Sequence, residues 1–214
     1  MKSITRQRPT EQLDQELAGW DKIYIAGCGT CATMTRTGGR DEVLKMKEHL
    51  ESLGKLVTGW IVIPVACDEM TQVVVQENRK AIDSADAVLM MSCALGVQRM
   101  AYYLKKPVIP ALDTLFLGLE DSPGVFYEAC VQCGQCVLGE TAGICPLTAC
   151  HKGLLNGPCG GTNNGKCEVD KEKDCAWVLI YERLKEQNRL DMMHRYRPPK
   201  DYQVMPRPRK TRVA

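Results

Sequence analysis

Eight cysteines fall between Cys130 and Cys175 of this 214-residue chain, opening with the run Cys130-Val131-Gln132-Cys133-Gly134-Gln135-Cys136. Three thiolates at i, i+3 and i+6 can wrap one face of an iron–sulfur cube, and Ile144-Cys145-Pro146 supplies a ferredoxin-like Cys-Pro ending. The whole chain has only two Phe and three Trp. A region this short of large side chains takes its folding energy from metal ligation rather than from burial. The cysteines therefore constrain the fold before any periodicity is read.

A disulfide framework is the competing use of so many thiols, and it needs an oxidising compartment and usually a short secreted domain. Met1 to Thr10 are polar and basic with no apolar h-region, and no run of 18 or more apolar residues is present to span a bilayer. A soluble, cytoplasmic protein with free thiols is expected, without membrane insertion.

Upstream of the cysteine-rich stretch the pattern alternates. Lys22 to Gly27 is an apolar run after the helix-like Glu11 to Leu17. Arg40 to Leu53 has helical spacing and stops at Gly54, and Gly59 to Ala66 is a second strand. A helix over Thr71 to Asp83, a strand over Asp86 to Ser92, a helix over Leu95 to Leu104 and a strand over Pro107 to Leu112 complete a βαβαβαβ order. That order implies an α/β, flavodoxin-like or Rossmann-like parallel sheet. Three regions are expected: an α/β domain over 1–120, a cysteine-rich cluster domain over 121–194 ending in a helix from Cys175 to Leu184, and a basic Pro-rich tail over 195–214.

The remaining four cysteines fall into one topological class. Cys28 and Cys31 follow the first strand, Cys67 the second and Cys93 the third. Open parallel sheets bind ligands at the carboxyl ends of their strands, so these four are read as one tetra-cysteine site. Small buried hydrophobes are the bland reading of Cys67 and Cys93. Gly27-Cys28-Gly29-Thr30-Cys31-Ala32 also fits Gly-x-Gly-x-x-Ala, but Thr35 to Gly39 is a poor helix and only Glu48 or Glu51 offers the acidic partner. Dinucleotide binding is therefore disfavoured.

The later eight, Cys130, Cys133, Cys136, Cys145, Cys150, Cys159, Cys167 and Cys175, number two further sets of four, with their pairing open. Two or three [4Fe–4S] clusters are expected, and zinc competes for one site because Cys₄ ribbons also organise aromatic-poor regions. Turns such as Gly157-Pro158-Cys159-Gly160-Gly161 and Asn163-Asn164-Gly165-Lys166-Cys167 offer backbone N–H groups to cluster sulfurs. His151 beside Cys150 could ligate, but it reads more readily as a surface histidine. No nucleophile–base pair, paired-carboxylate signature, P-loop or HExxH appears, so substrate chemistry on this chain is not expected and the catalytic set is empty.

Net charge is +2, but the residues after His194 alone carry +6, which leaves the first 194 near −4. The tail reads as an extended arm, either solvated or lying on an acidic partner protein, with nucleic acid the weaker alternative.

The stretch from Gly124 to Asp191, with Cys-x-x-Cys-x-x-Cys, Ile144-Cys145-Pro146, Leu154 to Gly161, Gly165 to Val169 and Asp174 to Leu184, resembles the MetV family, as do the Gly27 to Cys31 element and the strand-end cysteines. That resemblance implies an iron–sulfur subunit of methylenetetrahydrofolate reductase in the reductive acetyl-CoA pathway of acetogens. Its partner would be a flavin-containing, MetF-like catalytic subunit, binding FMN and reducing 5,10-methylene-tetrahydrofolate to 5-methyl-tetrahydrofolate. A further electron-donor protein is implied as well. Related sequences also occur fused to reductases as a carboxyl-terminal region, sometimes described as zinc-binding. The alternatives are a zinc-stabilised structural adaptor and an iron–sulfur adaptor of another oxidoreductase.

Overall fold

A computed structural model of the chain describes residues 2–204. It divides between Phe126 and Tyr127 into two compact units. The expected boundary at 120/121 lies inside a strand.

The first unit is built on a four-stranded parallel sheet. Its strands are β2 (Lys22–Cys28), β3 (Leu56–Ile63), β4 (Ala87–Met91) and β5 (Val108–Pro110), in spatial order β3-β2-β4-β5. The helices α1 (Thr10–Leu17), α2 (Cys31–Met34), α3 (Arg40–Ser52), α4 (Met70–Glu77), α5 (Arg79–Ser84) and α6 (Ala94–Tyr103) alternate with them. The central strands β2 and β4 are continuous apolar runs because both faces are covered. Ile23, Ile25, Val88, Leu89, Met90 and Met91 are fully buried.

The expected parallel α/β core is present, with boundaries moved for identifiable reasons. Strand β3 ends at Ile63 rather than Ala66, since Pro64 has no N–H to continue a ladder. The residues after it turn and deliver Cys67. The single helix expected over 71–83 breaks at Asn78, whose Nδ2 donates to the Val74 carbonyl oxygen at 2.9 Å and competes with helical bonding.

A second sheet was not expected. Strand β1 (Lys2–Gln7) pairs antiparallel with β6 (Leu112–Ser122), which turns at Gly124 (φ 81) into β7 (Val125–Cys130), giving the order β1-β6-β7. The polar look of Lys2 to Gln7 hides a buried segment, because Ser3, Ile4 and Thr5 are all buried.

Among its described residues the second unit holds little regular structure: the end of β7, α7 (Pro146–Ala149), α8 (Ala176–Glu186) and three short 3-10 segments. The expected terminal helix is α8. Its inward face supplies the buried core of the unit, Trp177, Ile180 and Leu184, against which Ile144, Cys150, Cys175 and Met192 pack. The Trp177 indole N–H donates to the Leu154 carbonyl oxygen at 2.9 Å.

The tail departs from a free arm at Arg197 and Lys200, the rest of residues 195–204 being exposed. Arg197 is 4% exposed. Its guanidinium meets Glu140 Oε2 at 2.9 Å and the Glu140 and Met192 carbonyl oxygens at 3.1 and 3.2 Å. It also lies 5.8 Å from the centre of the Trp177 ring. Asn156 clamps the same residue, accepting its backbone N–H and donating to its carbonyl oxygen, each at 2.7 Å. A guanidinium desolvated this far is held only because every side of it finds an acceptor. The rest of the expected tail, 205–214, lies outside the described residues.

Candidate functional site

The parallel sheet brings the four early cysteines to the carboxyl ends of its strands. Cys28 closes β2, Cys67 sits in the turn after β3, and Cys93 precedes α6 after β4. Cys31 opens α2. Cys28 and Cys93 are buried, Cys31 is half-buried and Cys67 is exposed.

The electrostatics tie them together. Burial pushes the Cys67 thiol up from its ordinary value, and the neighbouring Cys93, Cys28 and Cys31 push it further in the same direction. Like-charge repulsion of this kind needs proximity, so the four sulfurs share one electrostatic neighbourhood. A bound cation or cationic cluster would reverse the sign of that mutual penalty.

The loop holding Cys28 and Cys31 is pinned from behind. Thr5 of β1, Thr35 and Thr37 form a buried hydroxyl cluster, with Oγ1 separations of 3.0 Å (Thr5 to Thr35), 2.6 Å (Thr5 to Thr37) and 2.9 Å (Thr35 to Thr37). Thr35 Oγ1 donates to the Cys31 carbonyl oxygen at 2.9 Å, and Thr33 Oγ1 to that of Cys28 at 2.7 Å.

The same loop disposes of the dinucleotide motif. Helix α2 does open at Cys31, but it lasts one turn. A Cβ on Gly27 would meet the Gly38 carbonyl oxygen at 2.6 Å and Val43 at 2.7 Å. The Cys28 and Gly29 N–H groups donate to Gly38 and Ile63 carbonyl oxygens at 3.0 and 2.8 Å. Space and amides that a pyrophosphate would require are filled by the chain itself.

In the second unit, one cavity of about 280 Å³ is lined by Cys130, Cys133, Cys136 and Cys145 together. Left-handed backbone at Gln132 (φ 51) and Gly134 (φ 75) curls the triplet loop, and the Gln132 N–H donates to Cys130 Sγ at 3.4 Å. Val131, Val137, Leu138 and Leu147 make the rest of the wall apolar, with Lys200 reaching in. Spacing left open whether Cys145 accompanies the triplet; here it does.

The last four cysteines are placed individually. Cys150 and Cys175 lie half-buried against the Trp177 core. Cys167 Sγ is 3.7 Å from His151 Nδ1, and His151 Nε2 is 3.8 Å from Asp170. Cys159 accepts the Gly161 N–H at 3.5 Å and stands 3.3 Å from Glu168 Oε1. The Glu168 carboxyl is held below its usual range chiefly by Lys152, then by the Cys159 thiol.

Among the described residues, no three Cys, His, Asp or Glu side chains form a group fit for a single metal ion. That criterion does not decide for a cube, in which each thiolate binds a separate iron and the four sulfurs stand correspondingly further apart. The donor set suits such a group: Cys28/Cys31/Cys67/Cys93 and Cys130/Cys133/Cys136/Cys145 each offer four sulfurs in a common neighbourhood.

Residues 109–203 match the family of the methylene-tetrahydrofolate reductase C terminal. Over these residues the chain is similar to the C-terminal region of methylene-tetrahydrofolate reductases. The matched stretch contains all eight cysteines of the second unit and ends beside the clamped Arg197 segment. No curated protein and no solved structure matches the chain. No helix among the described residues is long and apolar enough to cross a membrane.

Proposed function

We propose that the chain is an iron–sulfur electron-transfer subunit of a methylenetetrahydrofolate reductase, of the MetV kind, serving a flavin-bearing catalytic partner that reduces 5,10-methylene-tetrahydrofolate to 5-methyl-tetrahydrofolate. The observation that carries this reading is the cavity in which Cys130, Cys133, Cys136 and Cys145 meet, inside the stretch related to the reductase C terminus.

Cys28, Cys31, Cys67 and Cys93 would hold one [4Fe–4S] cluster, and the cavity a second. Such clusters accept and donate single electrons, which is what a flavin partner needs from a carrier. The protein's own part is to set the surroundings. The threonine cluster fixes the first loop, Val131, Val137, Leu138 and Leu147 flank the second site, and Gln132 and Gly161 amides point at thiol sulfurs and favour their charged form. Catalytic acids and bases would belong to the partner.

Cys150, Cys159, Cys167 and Cys175 would make the third set. Zinc is the second reading for that set alone, supported by His151 beside Cys167, since a mixed nitrogen and sulfur donor pair suits zinc.

The test uses the anaerobically purified full chain with the reductase catalytic subunit. Absorbance near ~400 nm, bleached by dithionite and recovered when the chain passes electrons to the partner's FMN, is the expected result. A chain that binds the partner but leaves its flavin oxidised would be an adaptor instead.

A further inference from the structure

Resting on the cluster reading above, we propose that Lys200 is the charge that sets the reduction potential of the Cys130/Cys133/Cys136/Cys145 site, held at the cavity by a strap formed from residues 195–201.

Among the described residues that line the cavity, Lys200 is the only one with a cationic side chain. Its Nζ donates to the Gln135 carbonyl oxygen. The same carbonyl oxygen lies 3.5 Å from Cys133 Sγ, so ammonium and thiol share one acceptor between them. Gln135 is gripped a second time, because the Asp201 N–H donates to its Oε1 at 2.8 Å.

The strap fixes this position from the other end. Arg197 is buried and saturated with acceptors, and Asn156 bonds both its backbone groups. Between Arg197 and Lys200 stand Pro198 and Pro199, whose rings fix φ and leave little freedom to the spacer. A lysine on a free arm would be screened and averaged. Here it is bracketed on both sides and lines the cavity half-buried, where a charge acts through a lower dielectric than bulk water.

Adding an electron makes a four-thiolate cluster one charge more negative. A fixed ammonium beside it stabilises the reduced form more than the oxidised one, so Lys200 raises the potential of this cluster.

The experiment is a redox titration of the anaerobic full chain, followed by electron paramagnetic resonance, comparing wild type, Lys200→Gln and Lys200→Arg, with iron and sulfide counted on each. Lys200→Gln should lower one midpoint by about 59 mV, a tenfold change in a one-electron equilibrium, with iron content and the other midpoint unchanged. Lys200→Arg should restore most of the loss, and high salt should shrink the difference. Fully loaded Lys200→Gln protein with unaltered midpoints would overturn the role of the lysine and leave the cluster reading standing. Wild-type protein lacking iron and sulfide would overturn both.

Discussion

The two units of this protein solve the same problem, presenting thiols to a ligand, by opposite means. In the first, a sheet covered on both faces builds a continuous apolar core through Leu13, Ile25, Leu50, Ile82 and Leu89, and the cysteines are added at its edge. In the second, the buried core is one face of α8. Around it the chain runs through left-handed turns at Gln132, Gly134, Ala142, Gly153, Gly157 and Gly160. Apolar burial, at about 25 cal/mol per Å², is therefore spread over many side chains in the first and over three in the second. On the proposed cluster reading, the cysteines of one unit would be passengers, whereas those of the other would be its structural elements.

The largest test of that contrast is removal of metal by an anaerobic chelator. The second unit should lose protease resistance as a whole, with cleavage confined to residues beyond 127, while the first keeps its cooperative melting. Simultaneous collapse of both would abolish the distinction. Next in size, Arg197→Ala should cost the second unit about 3 kcal/mol by leaving Glu140 and several carbonyl oxygens without their buried donor, read as a lower melting temperature of the metal-loaded protein. In the first unit, Thr37→Val should cost about 2 kcal/mol by removing two buried hydrogen bonds, one from each of the Thr5 and Thr35 hydroxyls, which keep only their bond to each other and those of Thr35 to the backbone. It should also speed metal loss from the Cys28 site alone. The smallest effect is Tyr24→Phe. The Tyr24 hydroxyl is buried without a hydrogen-bond partner, so its removal should gain about 1 kcal/mol. Burial pushes that hydroxyl up from 10.0 to about 12. The unfolded chain therefore releases the proton first, and wild-type stability should fall as pH rises from 10 towards 12. The variant should lack that part of the fall, as measured by thermal melts.

Much of this was open to a reading of the residues. The parallel sheet followed from alternating apolar runs, and with it the carboxyl-edge placement of Cys28, Cys31, Cys67 and Cys93. The helix from Cys175 was equally plain. What escaped depended on polar groups being buried. Strand β1 carries Ser3 and Thr5 inward, and hydroxyl bonding to Thr35 and Thr37 is invisible to a hydrophobic period. Arg197 and Lys200 sat in a run of basic residues that charge patterning assigns to solvent. Only the acceptors gathered around them, from Glu140, Asn156 and Gln135, distinguish them from their neighbours. The grouping of Cys145 with the triplet likewise needed the turns at Gln132 and Gly134, since spacing alone allowed it elsewhere.

The central claim is that both units carry clusters ligated by cysteine, and the most direct measurement is iron, zinc and acid-labile sulfide per chain in anaerobically purified protein, beside Cys133→Ser. At least about eight irons with matching sulfide in the wild type, and about four fewer in the variant, is the predicted result. Zinc without iron or sulfide in both proteins would contradict it.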